Sequence, residues 1–172
     1  TQTIPIISDN YAMLNGYEFT KWIDFENDLI AKVDFYGRAK NSLTDGNVRV
    51  SERLHLPSKR LRGFNYRAIG PVDGNDYVGG NFSAAVNFTS TLPMIFESVE
   101  SADFKFFIDA ANVWGVDYRD NYDDSNKIRS STGIAVDWFT PIGPLNFSLA
   151  QPITKVSTDK TETFQFNLGT TF

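Results

Sequence analysis

The chain has 172 residues, enough for one domain with a sizeable core. A net charge of −5 argues against a nucleic-acid partner, because a phosphate backbone asks for a basic face. Without cysteine there is no disulfide framework and no thiolate zinc site, and His55, the single histidine, leaves no histidine cluster for a metal or for acid–base work, so neither metal nor cofactor is expected.

The opening, TQTIPIISDN, has no basic region followed by an apolar run and reads as a mature protein or a fragment, not a secretory leader. No stretch approaches the roughly 20 apolar residues of a membrane helix, which leaves a β-barrel open, since barrel strands hide half their residues from hydropathy. Aromatic residues are plentiful: Phe 15, Tyr 7 and Trp 3.

Strand-type alternation runs through nearly the whole chain. The first strand, around NGYEFTKWID, is the least clear and could reach back to Ile4. In NDLIAKVDFYGRAK, Leu29, Ala31, Val33 and Phe35 alternate with Lys32, Asp34, Tyr36 and Arg38. A long connection over residues 41–79 follows, rich in glycine and arginine and containing Arg62, Gly63 and Phe64. In GNFSAAVNFTS, Phe82, Ala84, Val86 and Phe88 alternate with Ser83, Ala85 and Asn87. In DFKFFIDAANVW, Phe104, Phe106 and Ile108 alternate with Lys105, Phe107 and Asp109. In STGIAVDWFT, Ile134, Val136 and Trp138 alternate with Gly133, Ala135 and Asp137; in GPLNFSLAQP, Leu145, Phe147 and Leu149 alternate with Asn146, Ser148 and Ala150. The chain closes on FQFNLGTTF, with Phe164, Phe166, Leu168, Thr170 and Phe172 on one face and Gln165, Asn167, Gly169 and Thr171 on the other.

These are about seven strands, each near the roughly 9–11 residues that cross a bilayer when tilted. One face is rich in Phe, Leu, Val and Trp; the other is small or charged. A soluble sandwich also alternates, with its apolar face turned to a core. The connections favour a barrel, because short turns and longer polar loops tend to alternate, as they do between the periplasmic and external ends of outer-membrane barrels. Trp22, Trp114, Trp138 and Phe172 near strand ends suit interface girdles. Seven strands fall short of an even-numbered barrel of eight or more, and an open edge in lipid leaves backbone groups unsatisfied. The expectation is therefore the C-terminal part of a larger antiparallel transmembrane barrel, about seven or eight of its strands over residues 1–172. Otherwise copies of the chain must pair along their free edges.

The acidic run Asp117, Asp120, Asp123 and Asp124 lacks the regular spacing and central glycine of a calcium loop and reads as a solvated external loop. Asp109 and Asp137 could be paired carboxylates of a small outer-membrane enzyme, but no nucleophile constellation accompanies them.

Arg62-Gly63-Phe64, then Val78-Gly79-Gly80-Asn81, then Phe107 to Trp114, then Trp138 to Leu145, then a terminal Phe form an ordered set. That order resembles the C-terminal barrel of the outer-membrane assembly and two-partner-secretion superfamily, above all its BamA-like members. The resemblance covers essentially the whole chain and is strongest from about residue 60 onward. It implies that the long loop folds back into the lumen and that Arg62 meets Asp109 on the inner wall, with Gly63 allowing a sharp turn and Phe64 packing the tip. Asn87 and Asp137 are lumen-facing support, Asn87 standing where relatives often carry glutamate and accepting one hydrogen bond. Ala111 stands where the family commonly has glycine. Phe164, Phe166, Leu168 and Phe172 resemble the C-terminal strand signal by which outer-membrane proteins are recognised. The implied function is folding and insertion of other barrels into the outer membrane, without catalysis of a chemical step. The implied partners are outer-membrane lipid, substrate barrels and, through upstream domains, periplasmic lipoproteins. A TamA-like or two-partner-secretion pore, or a self-contained porin or enzyme, are the alternatives.

Overall fold

A computed structural model describes residues 11–25, 29–44, 46–92, 101–119, 126–141 and 143–168. Seven long or edge strands form one antiparallel sheet: β1 (Ala12–Phe25), β2 (Leu29–Ser42), β5 (Phe82–Thr91), β6 (Ala102–Trp114), β7 (Arg129–Thr140), β8 (Gly143–Thr154) and β9 (Phe164–Leu168), in that spatial order. Two short strands, β3 (Val72–Asp73) and β4 (Asp76–Tyr77), make a separate hairpin inside the long connection. Each of the seven sheet strands pairs with its sequence neighbour in the sheet, and among the described residues no pairing joins β1 to β9.

The alternation read from sequence places side chains as expected. Phe35, Val86, Ile108, Ile134, Trp138, Leu149, Phe164 and Phe166 lie exposed on the convex face. Tyr36, Ala85, Phe107, Asp109, Ala135, Asp137, Ser148 and Ala150 are buried on the concave face. An apolar outer face and a mixed polar inner one are what a membrane barrel requires and the reverse of a soluble sandwich. β1 is longer than its sequence pattern indicated, starting at Ala12; any extension toward Ile4 lies outside the described residues.

Trp22 does not join an interface girdle. It shares the concave side of β1 with Thr20, which donates to Asp34 at 2.6 Å, and the Lys32 ammonium stands 5.2 Å from its ring centroid. The indole provides a π-face for an inner-wall cation, a use that hydrophobicity alone does not distinguish from lipid contact. Trp114, stacked on Phe82 at 5.7 Å, lies at the long-loop end of the sheet; Trp138 lies at the short-turn end and donates to Ser101 Oγ at 3.2 Å. Phe172 lies outside the described residues.

The long connection runs from residue 43 to 81, because β2 continues to Ser42. It is not a loose excursion. Leu56, Leu61, Phe64 and Ile69 from the loop form one buried cluster with Tyr36, Ala85, Ala111 and Val113 of the sheet. Register explains the space they fill: Tyr36, Ala85 and Ala111 are cross-strand neighbours in one row, and the two alanines leave a shelf on which loop side chains settle.

Candidate functional site: an arginine seated on the inner wall

A row of polar residues crosses the concave face. Thr20 is opposite Asp34, Asp34 opposite Asn87, Asn87 opposite Asp109, and Asp109 opposite Ser131. Strand alternation brings each of them inward, and the antiparallel register aligns them across five strands. The loop backbone from Arg60 to Arg62 lies along this row. Asn87 Nδ2 donates to the Arg60 carbonyl at 2.9 Å, and Ser131 Oγ donates to the Arg62 carbonyl at 2.5 Å.

Arg62 and Asp109 are brought together. Arg62 Nε donates to Asp109 Oδ2 at 2.8 Å and Nη2 donates to Oδ1 at 2.8 Å, the two parallel bonds of a fork on a carboxylate. The Arg62 backbone N–H adds a third bond to Oδ2 at 3.0 Å, and Asn87 Nδ2 a fourth to Oδ1 at 2.8 Å. Asp109 is 0% exposed and Arg62 6%. A buried carboxylate with four donors and a guanidinium with its charge matched meet the condition under which a buried ion pair is tolerated. Arg62 also stands with its Cζ 3.6 Å from the Phe107 ring centroid, and its Nη2 is 3.4 Å from Thr89 Oγ1.

Two glycines make this packing possible. Gly63 adopts a φ of +87°, and a Cβ there would sit 2.9 Å from the Ala150 Cβ. Gly133, opposite Phe107, would place a Cβ 2.0 Å from the Leu149 carbonyl oxygen and 2.8 Å from Phe107 Cζ. The Phe107 ring therefore lies across Gly133, and the arginine lies on the ring. Phe64 is 2% exposed, pairs in a bridge with Thr161, and its carbonyl accepts from Gln165 Nε2 at 3.0 Å.

The other residues singled out from the sequence are placed as follows. Asn87 donates both of its identified hydrogen bonds and does not act as an acceptor, because its neighbours on the row are a carbonyl and a carboxylate. Asp137 is buried apart from the Arg62 seat, where Lys105 Nζ and Asn146 Nδ2 both donate to it. Asp109 faces Ser131, six residues before Asp137 on β7, so the backbones that carry the two carboxylates are offset by roughly 20 Å along the strands. That exceeds the roughly 5–9.5 Å of a glycosidase pair and removes the paired-carboxylate reading. Phe164 and Phe166 pack against Phe147 at 6.4 and 5.2 Å between centroids, and Leu168 is exposed on the same outer face. A polar cavity of about 250 Å³ opens beside the seat, lined by Lys32, Asp34, Lys59, Arg60, Lys105 and Asp137 among others. No group of acidic or histidine side chains suited to a metal occurs among the described residues.

Two further arginine–aspartate ties were not anticipated. Arg129, fully buried at the start of β7, reaches Asp159 in the β8–β9 connection through Nε to Oδ2 and Nη2 to Oδ1, both at 3.0 Å, and also donates to Asn112 Oδ1 at 2.7 Å. Arg53 pairs with Asp117, which also accepts from Val48 N–H at 2.7 Å and Asn81 Nδ2 at 3.1 Å. Asp117 is therefore not a solvated member of an acidic run; Asp120, Asp123 and Asp124 lie outside the described residues. Burial pushes the Asp117 carboxyl up, but the Val48 and Asn81 hydrogen bonds and the Arg53 charge together hold it below the usual carboxylate value. The sequence carried no signal for either tie, since each arginine finds its partner through a different loop.

Comparison with known proteins agrees with this geometry. Residues 12–172 match the model of the Omp85 superfamily domain. The outer membrane protein assembly factor BamA of Neisseria meningitidis serogroup B is 32% identical over 139 residues, covering 65% of this chain and 17% of that protein. BamA of Neorickettsia risticii is 30% identical over 128 residues, covering 73% of this chain and 17% of that protein. The crystal structure of BamA from Haemophilus ducreyi lacking POTRA domains 1–3 superposes with a TM-score of 0.76 at 26% identity, over 91% of this chain and 34% of that one. The chain thus spans about one sixth of the length of the curated relatives it matches. With its sheet order, inward loop and matched residues taken together, the chain belongs to the Omp85 superfamily.

Proposed function

We propose that this chain is the C-terminal sector of an outer-membrane barrel that folds other barrels and inserts them into the membrane. The observation that carries the reading is the Arg62–Asp109 seat: a long loop folded back across the concave face and fastened by a buried, fourfold-bonded carboxylate. The similarity to assembly factors named BamA supports the same reading. In it, Arg62, Gly63, Phe64 and Asp109 form a latch, Asn87 steadies it, and Asp137 organises a separate part of the inner wall with Lys105.

The work is mechanical and electrostatic, not chemical. The convex aromatic face meets outer-membrane lipid. A substrate barrel pairs by strand addition at a sheet edge, where main-chain hydrogen bonds give affinity without sequence specificity. The alternating Phe164, Phe166 and Leu168 of β9, with Phe172 beyond it, carry the terminal-strand pattern of such substrates. Periplasmic lipoproteins engage upstream domains, not this sheet.

The test is complementation with the full-length protein carrying Arg62→Ala in a strain depleted of its own assembly factor. Reduced outer-membrane porin levels and a barrel that unfolds at lower temperature on semi-native gels are expected. Normal porin levels with unchanged heat-modifiability would overturn the reading.

A further inference from the structure

The loop touches both ends of the sheet. At one end, Arg60 Nη2 is 3.3 Å from Glu18 Oε2 of β1, and Arg38 of β2 also donates to Glu18. The two guanidiniums stand 5.2 and 5.3 Å from the Tyr36 ring centroid, so Tyr36 and Glu18 together hold a pair of like charges that would otherwise repel. At the other end, Phe64 offers its carbonyl to Gln165 of β9, Gly63 accepts from Glu162 N–H at 3.1 Å, and Asn65 N–H donates to Lys160 O at 3.0 Å. Between them Arg62 is fixed to Asp109 of β6.

We propose that residues 60–65 form a strut that sets the curl of the sheet, with Glu18 and Gln165 as the positioning residues at its two ends. Six inter-strand steps from β1 to β9 give an arc of about 29 Å, at roughly 4.8 Å per step. The backbone from Arg60 to Phe64 spans at most about 14 Å. The side chains of Arg60, Glu18 and Gln165 bridge the remainder, and flattening the sheet lengthens that remainder. The end contacts therefore persist only while the sheet curls toward the loop. The centre is held by a buried, multiply bonded pair and the β9 end by three hydrogen bonds around the buried Phe64, whereas the β1 end rests on Glu18, 46% exposed in its side chain. The β1 end yields first, so the curl can change while the latch stays closed. The strut rests on the latch reading for its central anchor alone.

The experiment uses the full-length protein in outer-membrane vesicles. Spin labels go at Tyr17→Cys on β1 and Phe166→Cys on β9, both exposed on the outer face of a stretch without cysteine. Pulsed dipolar spectroscopy then gives the distance distribution. Glu18→Gln should shift it to longer distances and broaden it, and Gln165→Leu, which leaves two backbone hydrogen bonds at its end, should do so to a smaller extent. Arg60→Leu should shift it in the same direction by less than Glu18→Gln, which also frees Arg38, and adding Arg60→Leu to Glu18→Gln should change little, because their shared contact is then already cut. Retained heat-modifiability shows that each variant is folded. A distribution unchanged by both end variants would overturn the strut, as would full additivity of Arg60→Leu with Glu18→Gln. A full-length wild-type protein that fails to restore barrel assembly, with the distribution still shifted in the end variants, would overturn the assembly reading and leave the strut standing.

Discussion

At the scale of single residues, the site is a stack: Gly133, the Phe107 ring, the Arg62 guanidinium, and Asp109 beside it. Each layer depends on the one beneath. Arg62→Ala strands a buried carboxylate, and breaking such a pair from one side costs about 3–5 kcal/mol. Arg62→Lys keeps the charge but not the planar fork and should recover only part of that loss in thermal unfolding. Gly133→Ala leaves the ion pair chemically intact yet drives a Cβ into the Leu149 carbonyl oxygen and the Phe107 ring, so both the β8 backbone and the ring must shift, at a cost of at least about 1–3 kcal/mol. A midpoint unchanged by Gly133→Ala would show that the ring does not rest on that glycine. Much of this was legible in the sequence. Arg62 beside Gly63, with Asp109 on the inward register of its strand, was enough to pair them through family resemblance. The donor role of Asn87, the bed of Phe107 and the place of Trp22 were not, because each is decided by which residue stands opposite on the next strand.

At the scale of elements, strands and loops differ in how far sequence reveals them. Six of the seven sheet strands announce themselves by alternation, since a membrane barrel separates apolar from polar at a period of two. β1 was blurred because its inward face carries Trp22 and its outward face Lys21. The long loop offered no periodicity at all; its order comes from the Ala85–Ala111 shelf and from arginine ties to other segments. Two groups make that loop assembly sensitive to acid. His55 is half-buried, and burial, with the Arg67 charge, lowers its pKa below the ordinary 6.5. The unfolded loop then binds the proton more readily than the folded one. This contribution to stability is complete above about 6.5 and is lost as pH falls through the lower folded value. Asp117 behaves in the same direction further down, its contribution fading as pH drops below the ordinary 3.8. Protease nicking within residues 43–81 of the full-length protein should therefore increase between pH 7.5 and 5.5, and His55→Gln should flatten that dependence. Equal nicking of the wild-type loop at both pH values would contradict it.

At the scale of the whole molecule, the sheet is curved and one-sidedly apolar, and among the described residues no pairing joins β1 to β9. Among the described residues, β2 is the one strand that pairs with β1. Backbone groups left unpaired in hydrocarbon cost several kcal/mol each, so a strand at the rim of a membrane sheet must find a neighbour. On the proposed reading of the chain as a sector of a larger barrel, the sheet continues into further strands beyond β1, while the inner loop braces it from within. The central claim is that Arg62 and Asp109 act as one unit fastening the loop to the wall. The most direct measurement is a double-mutant cycle on the full-length protein, with Arg62→Ala, Asp109→Ala and their combination followed by thermal unfolding on semi-native gels. The account predicts that the double variant loses markedly less than the sum of the single losses, because the second substitution removes a partner already unpaired. Strict additivity would mean that the two residues do not act together, and the latch would fall.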